Sequence, residues 1–191
     1  MNSITTPARV ALHRERFEAI LNFWFGSISA PQQNYQLWFG GTPAIDADIK
    51  QRFLDDVEKA ERGEYDSWMS EPHSALALCI AFDQFPMNIY RDQPKGYIMS
   101  SRAIPLAYTA LGRGFDAQVH DHMKLFFQLP LMHSEHLADQ LKCVEWMKGD
   151  DFAKDHCAVV QKYGRYPGRN AVMGRTNTAE EAEYLKNGGN Y

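Results

Sequence analysis

Three polar segments of this 191-residue chain carry the side chains whose types and spacing could do chemistry. The first, residues 83–91, reads DQFPMNIYR and places a carboxylate, two amides and a guanidinium directly after a strongly apolar stretch. Ionised groups are rarely buried without partners, so Asp83 is expected to meet an arginine, with Arg91 as the local candidate, or several backbone N–H donors. In the alternative interpretation, Asp83 and Asn88 only hold a helix end that Pro86 interrupts.

The second segment, residues 129–136, reads LPLMHSEH. A histidine with an ordinary pKa of about 6.5 exchanges protons at cellular pH, and a nearby carboxylate can orient it. His133, Glu135 and Asp83 are therefore candidates for general acid and base catalysis. A structural role competes, because Ser134 and Glu135 also suit the N-terminus of a helix. A serine nucleophile is not indicated, since a nucleophile and its base must meet in space rather than in sequence.

The third segment, residues 161–175, contains no acidic residue. Its cations are Lys162, Arg165, Arg169 and Arg175. Arginine presents a rigid fork of donors that suits carboxylates and phosphates, and the glycines between these cations permit a close approach of the backbone. The segment therefore predicts an anion site. The competing interpretation is that these arginines pair internally with Asp83, Glu135 or acids of the stretch 46–71.

Composition narrows the classes of function. The net charge of −4 disfavours a general nucleic-acid binder, and 45% hydrophobic with 13% aromatic residues indicates a folded globular chain. The longest uncharged apolar run, residues 75–82, is far shorter than the roughly 20 residues that span a bilayer. Charged residues at 13–16 interrupt the place of a signal-peptide core. We therefore expect a cytosolic protein that binds neither membranes nor nucleic acids.

Metal and redox sites are not predicted. The cysteines are far apart without CxxC spacing and are expected to be reduced and buried: Cys79, Cys143 and Cys157. His120 and His122 diverge on a helix, and the histidines of segment 133–136 match no common ligand spacing. No cofactor is indicated by any motif. Trp38 and Phe39, which precede two glycines, either pack in the core or line a pocket.

Helices must position these segments. Apolar residues recur at helical spacing along most of the chain, and no segment shows sustained strand alternation, so an all-α class is predicted. Thr6 and Pro7 predict the start of the first helix, whereas Pro86 and Pro130 are expected to end later ones. Gly164 has the position of a helix C-terminal glycine. Thr178 and Glu181 have the spacing of a capping box.

The higher organisation is predicted from length and from the spacing of prolines. A chain of this length forms one domain by default, spanning residues 1–191. Prolines at 86, 130 and 167 end similar segments at intervals close to one helix pair. We expect helix pairs arranged in a tetratricopeptide-like right-handed superhelix or in a compact helical array.

The three segments, with FWFG at residues 23–26, resemble a bacterial family known as domain of unknown function 924. Family segments of the forms DQFPRN, YLPxxHSE and RFGRxPHRN occur in the same order over nearly the whole chain. The resemblance implies a tetratricopeptide-like helical fold and supplies no reaction. The matching residues are Asp83, Gln84, Asn88, Arg91, His133, Ser134, Glu135, Gln140, Arg165, Arg169, Asn170, Gly174 and Arg175. Met87 stands where the family has arginine, and Gly168 where it has histidine.

Two hypotheses of function follow. In the first, the three segments converge on a polar pocket for a small anionic molecule, with proton transfer by His133, Glu135 or Asp83; whether the protein is an enzyme stays open. The ligand-binding set would be Gln84, Asn88, Arg91, Gln140, Arg165, Arg169, Asn170 and Arg175. In the second, the chain is a scaffold for a protein or peptide partner, and the segments only hold the helices in register.

Overall fold

The computed structural model describes residues 7–189 and 191, so the predicted cap Thr6 lies outside the described residues. All regular structure in this part is helical, which confirms the all-α prediction. The α-helices are α1 Pro7–Phe25, α2 Tyr35–Phe39, α3 Pro43–Glu61, α4 Pro72–Ile89, α5 Pro94–Ser101, α6 Ala103–Gly112, α7 Asp121–Met132, α8 Leu137–Trp146, α9 Asp151–Tyr163 and α10 Ala179–Lys186. Short 3₁₀ turns occupy Asp66–Ser70, Asp116–Gln118 and Pro167–Arg169.

Helix α4 is the centre of the fold. Its residues 74–86 are buried on every side, as expected for a helix that is apolar all round. It packs against α1, α3, α5, α6 and α7, while α7, α8 and α9 pack in succession. A superhelix in which each helix pair touches only its neighbours would not surround one helix in this way. The arrangement is therefore the compact helical array.

The prediction that Pro86 and Pro130 end their helices is wrong. Helix α4 continues past Pro86 to Ile89, and α7 continues past Pro130 to Met132. Proline inside a helix costs about 3 kcal/mol. Burial of one large apolar side chain contributes about 1.5–3 kcal/mol, and Phe85 and Ile89 are both buried around Pro86. Packing on both sides of the proline therefore outweighs the local cost.

Several helix ends follow their local chemistry. Gly164 ends α9 with a φ of +70°, and Thr178 with Glu181 forms the complete capping box of α10, as predicted. The start of α8 differs from the expectation, because the helix begins at Leu137 rather than after Ser134. The Ser134 hydroxyl accepts from the His136 N–H at 3.1 Å and holds a turn between α7 and α8.

Helix α5 lies unusually close to the end of α4. A Cβ added to the buried Gly96 would lie 3.1 Å from the Pro86 carbonyl oxygen and 3.3 Å from that of Tyr90. A side chain at this position would require the end of α4 to shift by a few tenths of an ångström. The approach places Tyr97 and Ser100 of α5 beside the polar end of α4.

We predict that Gly96→Ala lowers the free energy of unfolding by about 1–3 kcal/mol, because the added methyl group meets backbone that has to move. Chemical denaturation measures the effect. Gly112→Ala at the end of α6 is the matched control, since its Cβ would meet no atom within 4 Å. Equal stability of the Gly96→Ala variant and the wild type would contradict the close packing.

The remaining expectations concern cysteines and membranes. Cys79, Cys143 and Cys157 are buried free thiols, as predicted. Within residues 7–189, no helix has the length and apolar character needed to cross a membrane.

Candidate functional site

A buried carboxylate joins the polar ends of three helices. Asp83 of α4 is 1% exposed. Its Oδ1 accepts from the Ser100 hydroxyl at 2.6 Å and lies 2.8 Å from Nδ1 of His133, while its Oδ2 accepts from the Gln84 amide at 2.5 Å. The expectation of an arginine or of backbone N–H donors beside Asp83 is therefore wrong. A histidine and two neutral donors take that place.

The protonation of this pair follows from its contacts. Burial raises the pKa of Asp83, but attraction to His133 and the hydrogen bonds from His133, Ser100 and Gln84 lower it overall. An ionised carboxylate only accepts hydrogen bonds, so the shared hydrogen lies on Nδ1 of His133. The Nε2 atom then stays available to a ligand, in the arrangement that orients a general base. Since Ser100 donates to Asp83 and not to the imidazole, it is not placed as an activated nucleophile.

Arg91 pairs with a different acid. Its Nε lies 2.5 Å from Oδ2 of Asp46, and its Nη2 lies 2.7 Å from Oδ1 of the same residue of α3. Gly41, with a φ of +54°, packs against the guanidinium, and a Cβ there would lie 3.3 Å from both terminal nitrogens. Asn88 adds a contact, since its Oδ1 accepts from Nη2 at 3.2 Å. The charge of Arg91 is thus balanced within the fold.

Two arginines of the third segment also pair internally. Arg165 donates to the two carboxylate oxygens of the buried Glu181 at 2.7 and 2.8 Å. These hydrogen bonds, assisted by the Thr178 N–H, lower the pKa of Glu181 to about 2. Arg175 donates to the two oxygens of Glu135 at 2.6 and 2.9 Å. Arg165 and Arg175 therefore follow the interpretation in which the arginines pair with acids of the same chain.

Glu135 ties the third segment to the α7–α8 turn. Besides its bonds with Arg175, it accepts from the Tyr166 N–H at 2.8 Å. Burial raises the pKa of Glu135, but the bonds from Arg175 and the Tyr166 backbone lower it overall. Its carboxylate is therefore ionised and engaged by three donors.

Arg169 differs from the other three arginines. Its Nη1 donates to the carbonyl oxygen of His133 at 2.8 Å, and its guanidinium lies over the rings of Tyr97 and Tyr166, 5.0 and 4.3 Å from their centroids. Within the described part of the chain, no carboxylate forms an ion pair with it. Burial lowers the pKa of Arg169, and the charge of Glu135 offsets only part of that effect. Arg169 is thus a half-buried cation without a paired carboxylate among the described residues.

Two clefts meet at this arginine. The first cleft has a volume of about 220 Å³ and the second about 230 Å³. Both are lined by the same four side chains: Tyr97, Ser100, His133 and Arg169. The first cleft is also lined by Trp38, Phe39, Gly41, Gln84, Met87, Asn88, Arg91 and Leu129. The second cleft is lined by Ser134, Glu135 and His136 and by apolar residues of α5 and α6, among others.

The other predicted site residues lie inside the fold rather than along either cleft. Gln140 is fully buried, and its amide donates to the carbonyls of Met132 and Ser134 at 2.7 and 2.6 Å. Asn170 is buried and donates to Asn177 at 2.7 Å. Arg165 and Arg175 likewise line neither cleft.

The three segments nevertheless converge. One network of contacts links the residues expected to cluster, through the bonds described above: Asp83, His133, Glu135, Arg169 and Arg175. Sequence reasoning missed Tyr97 and Ser100, because α5 lies outside all three motifs and only the close α4–α5 packing brings it to the site. The sequence did point to Trp38 and Phe39 as residues of the core or of a pocket. Trp38 packs in the core, and Phe39 lines the first cleft.

Comparisons with known proteins agree with this fold. A family model described as bacterial protein of unknown function (DUF924) matches residues 20–189. The solved structure of a protein of unknown function, ATU0120 from Agrobacterium tumefaciens, is similar with a TM-score of 0.82 and 33% sequence identity. That similarity covers 94% of this chain and 99% of the other. No curated protein matches the chain.

Proposed function

This chain belongs to the DUF924 family of bacterial proteins of unknown function, and from the geometry of its site we propose that it binds a small carboxylate or phosphate. The anion contacts Arg169, and His133 transfers a proton to or from the same ligand. The observation that carries this proposal is a half-buried guanidinium, without an ion pair in the described chain, beside an imidazole that a carboxylate orients.

The unpaired state of Arg169 supports anion binding. A guanidinium has five N–H donors, and the contact with the His133 carbonyl uses one of them. The faces of Tyr97 and Tyr166 hold the cation by cation–π attraction without neutralising it. A carboxylate or phosphate supplies both the missing charge and a bidentate acceptor.

The contacts of His133 support proton transfer. Asp83 fixes the tautomer and the ring orientation of His133. The His133 side chain is 27% exposed and lines both clefts. Asp83 acts as a positioning residue, because it lies behind the imidazole and lines neither cleft. Gln84 and Asn88 line the first cleft. Each uses one amide N–H inside the fold, on Asp83 and on the Gln84 carbonyl, and its second amide N–H serves to orient a ligand. We assign Glu135 to holding Arg175 rather than to proton transfer.

The alternative, a scaffold for a protein or peptide, accounts for Gln140, Arg165 and Asn170, whose side-chain N–H donors bond to other groups of the chain. It accounts less well for Arg169, whose half-buried guanidinium has no carboxylate partner among the described residues. Ligand binding is therefore the better-supported function.

Inorganic phosphate or acetate is expected to raise the melting temperature of the wild type, by an amount equivalent to about 2.7 kcal/mol at 100 times Kd. Arg169→Gln should abolish the rise, because it removes the charge and the fork of donors. Lys162→Gln is the matched control, since it removes an exposed cation of the same segment and should preserve the rise. An equal rise in Arg169→Gln, or no rise with either anion in the wild type, would refute anion binding at this site.

A further inference from the structure

The two clefts differ in charge, and the difference selects one of them for an anion. Among the described residues that line the first cleft, Arg91 and Arg169 are charged and none is acidic. The second cleft shares Arg169 but is also lined by Glu135, whose carboxylate is ionised. Arg175 balances the charge of Glu135 and Asp46 that of Arg91, but neither balancing partner lines a cleft. At close range an anion at Arg169 therefore meets a carboxylate along the second cleft and a second guanidinium along the first. The ligand body therefore extends into the first cleft.

The mouth of the first cleft presents an exposed aromatic ring. Phe39 lines this cleft and is 59% exposed, and it does not belong to the hydrophobic core. Its neighbour Trp38 explains how α2 holds it there, because the indole N–H donates to the Trp24 carbonyl at 2.9 Å and the ring lies 4.9 Å from that of Phe126. Trp38 thus anchors α2 in the core, and this places Phe39 at the first cleft.

The other apolar residues of the first cleft offer further packing surface for a ring. Met87 and Leu129 line the cleft together with Trp38. A methionine sulfur makes favourable contacts with aromatic rings. The volume of about 220 Å³ lies below the roughly 300–1,000 Å³ typical of drug-sized ligand sites. The space accommodates one ring with its substituent rather than a dinucleotide or another two-ring ligand.

We propose, building on the anion-binding function, that the ligand is a single-ring aromatic carboxylate or aryl phosphate. Its ring packs on Phe39 and Met87 in the first cleft, and its anionic group contacts Arg169 beside Nε2 of His133. Phe39 determines specificity for the ring, and Arg169 determines specificity for the charge.

The test compares matched pairs of ligands by calorimetry: phenyl phosphate with methyl phosphate, and benzoate with acetate. In the wild type, the aromatic member of at least one pair should bind about tenfold more tightly, because ring packing on Phe39 adds to the anion contact. Which pair shows the preference distinguishes a phosphate from a carboxylate ligand. Phe39→Ala should remove the preference and leave the affinity for methyl phosphate or acetate unchanged.

Phe152→Ala is the matched control, since Phe152 is 68% exposed on α9 and lines neither cleft. It should preserve the aromatic preference. Equal affinities within both pairs in the wild type, or a preference that survives Phe39→Ala, would overturn the aromatic inference while leaving anion binding at Arg169 intact. Absence of binding by all four ligands would overturn both proposals.

Discussion

Replacing Asp83 with alanine is expected to lower the free energy of unfolding by about 3–5 kcal/mol at pH 7. The carboxylate is 1% exposed and accepts from His133, Ser100 and Gln84, so its removal leaves three polar groups without their acceptor beside a new cavity. Chemical denaturation measures the loss. Asp155→Ala, at an exposed aspartate of α9, is the matched control and should change stability little.

The loss should depend on pH in a defined direction. The pKa of Asp83 is lower in the folded protein than its ordinary value, so its stabilisation is fully present above the pKa of an unfolded aspartate, about 3.9. The stabilisation by Asp83 is lost as the pH falls from the pKa of the unfolded aspartate to the lower pKa of the folded protein. The gap between the wild type and Asp83→Ala should therefore narrow below about pH 4. Equal stabilities at pH 7 would contradict a buried, ionised Asp83.

The positioning role of Asp83 has a separate readout. Nitrogen-15 NMR of the neutral imidazole should find the hydrogen of His133 on Nδ1 in the wild type, because the partner atom is an acceptor. In Asp83→Asn the amide can donate as well as accept, so the Nε2–H tautomer should become populated. A merely structural aspartate would leave the tautomer unchanged.

Glu181→Ala is expected to destabilise the protein by about 3 kcal/mol at pH 7. Hydrogen bonds from Arg165 and the Thr178 N–H lower the pKa of Glu181 from an ordinary 4.5 to about 2, and the side chain is 2% exposed. This stabilisation is present above about pH 4.5 and is lost as pH falls towards 2. Chemical denaturation should therefore show a large difference in the free energy of unfolding between the wild type and Glu181→Ala at pH 7, and a small difference at pH 2.5.

The adjacent Glu180 provides the control, since it is exposed on the same first turn of α10. Glu180→Ala should cost little at either pH. A similar loss in both variants would mean that the charge near the helix N-terminus, rather than the pairing with Arg165, stabilises this end of the molecule.

The sequence by itself determined the features whose causes are local. The all-α class follows from helical periodicity, and the ends of α9 and α10 follow from Gly164 and from the Thr178–Glu181 capping box, because each depends on residues within one or two helical turns. The motif order also sufficed for family membership. Convergence of the three segments was predictable because buried charges of opposite sign require one another.

Only the tertiary structure decided which charges of the site pair, and that Arg169, among the four arginines of the three segments, has no ion pair with a described residue. Arg91 pairs with Asp46, 45 positions away, and Arg175 pairs with Glu135, 40 positions away. Several acids were equally acceptable partners in the sequence, because an arginine fork fits any carboxylate. The distances between helices select among them, just as packing keeps α4 helical through Pro86. Arg169 became the candidate anion contact because the packed helices bring tyrosine rings and a carbonyl, rather than a carboxylate, to its guanidinium.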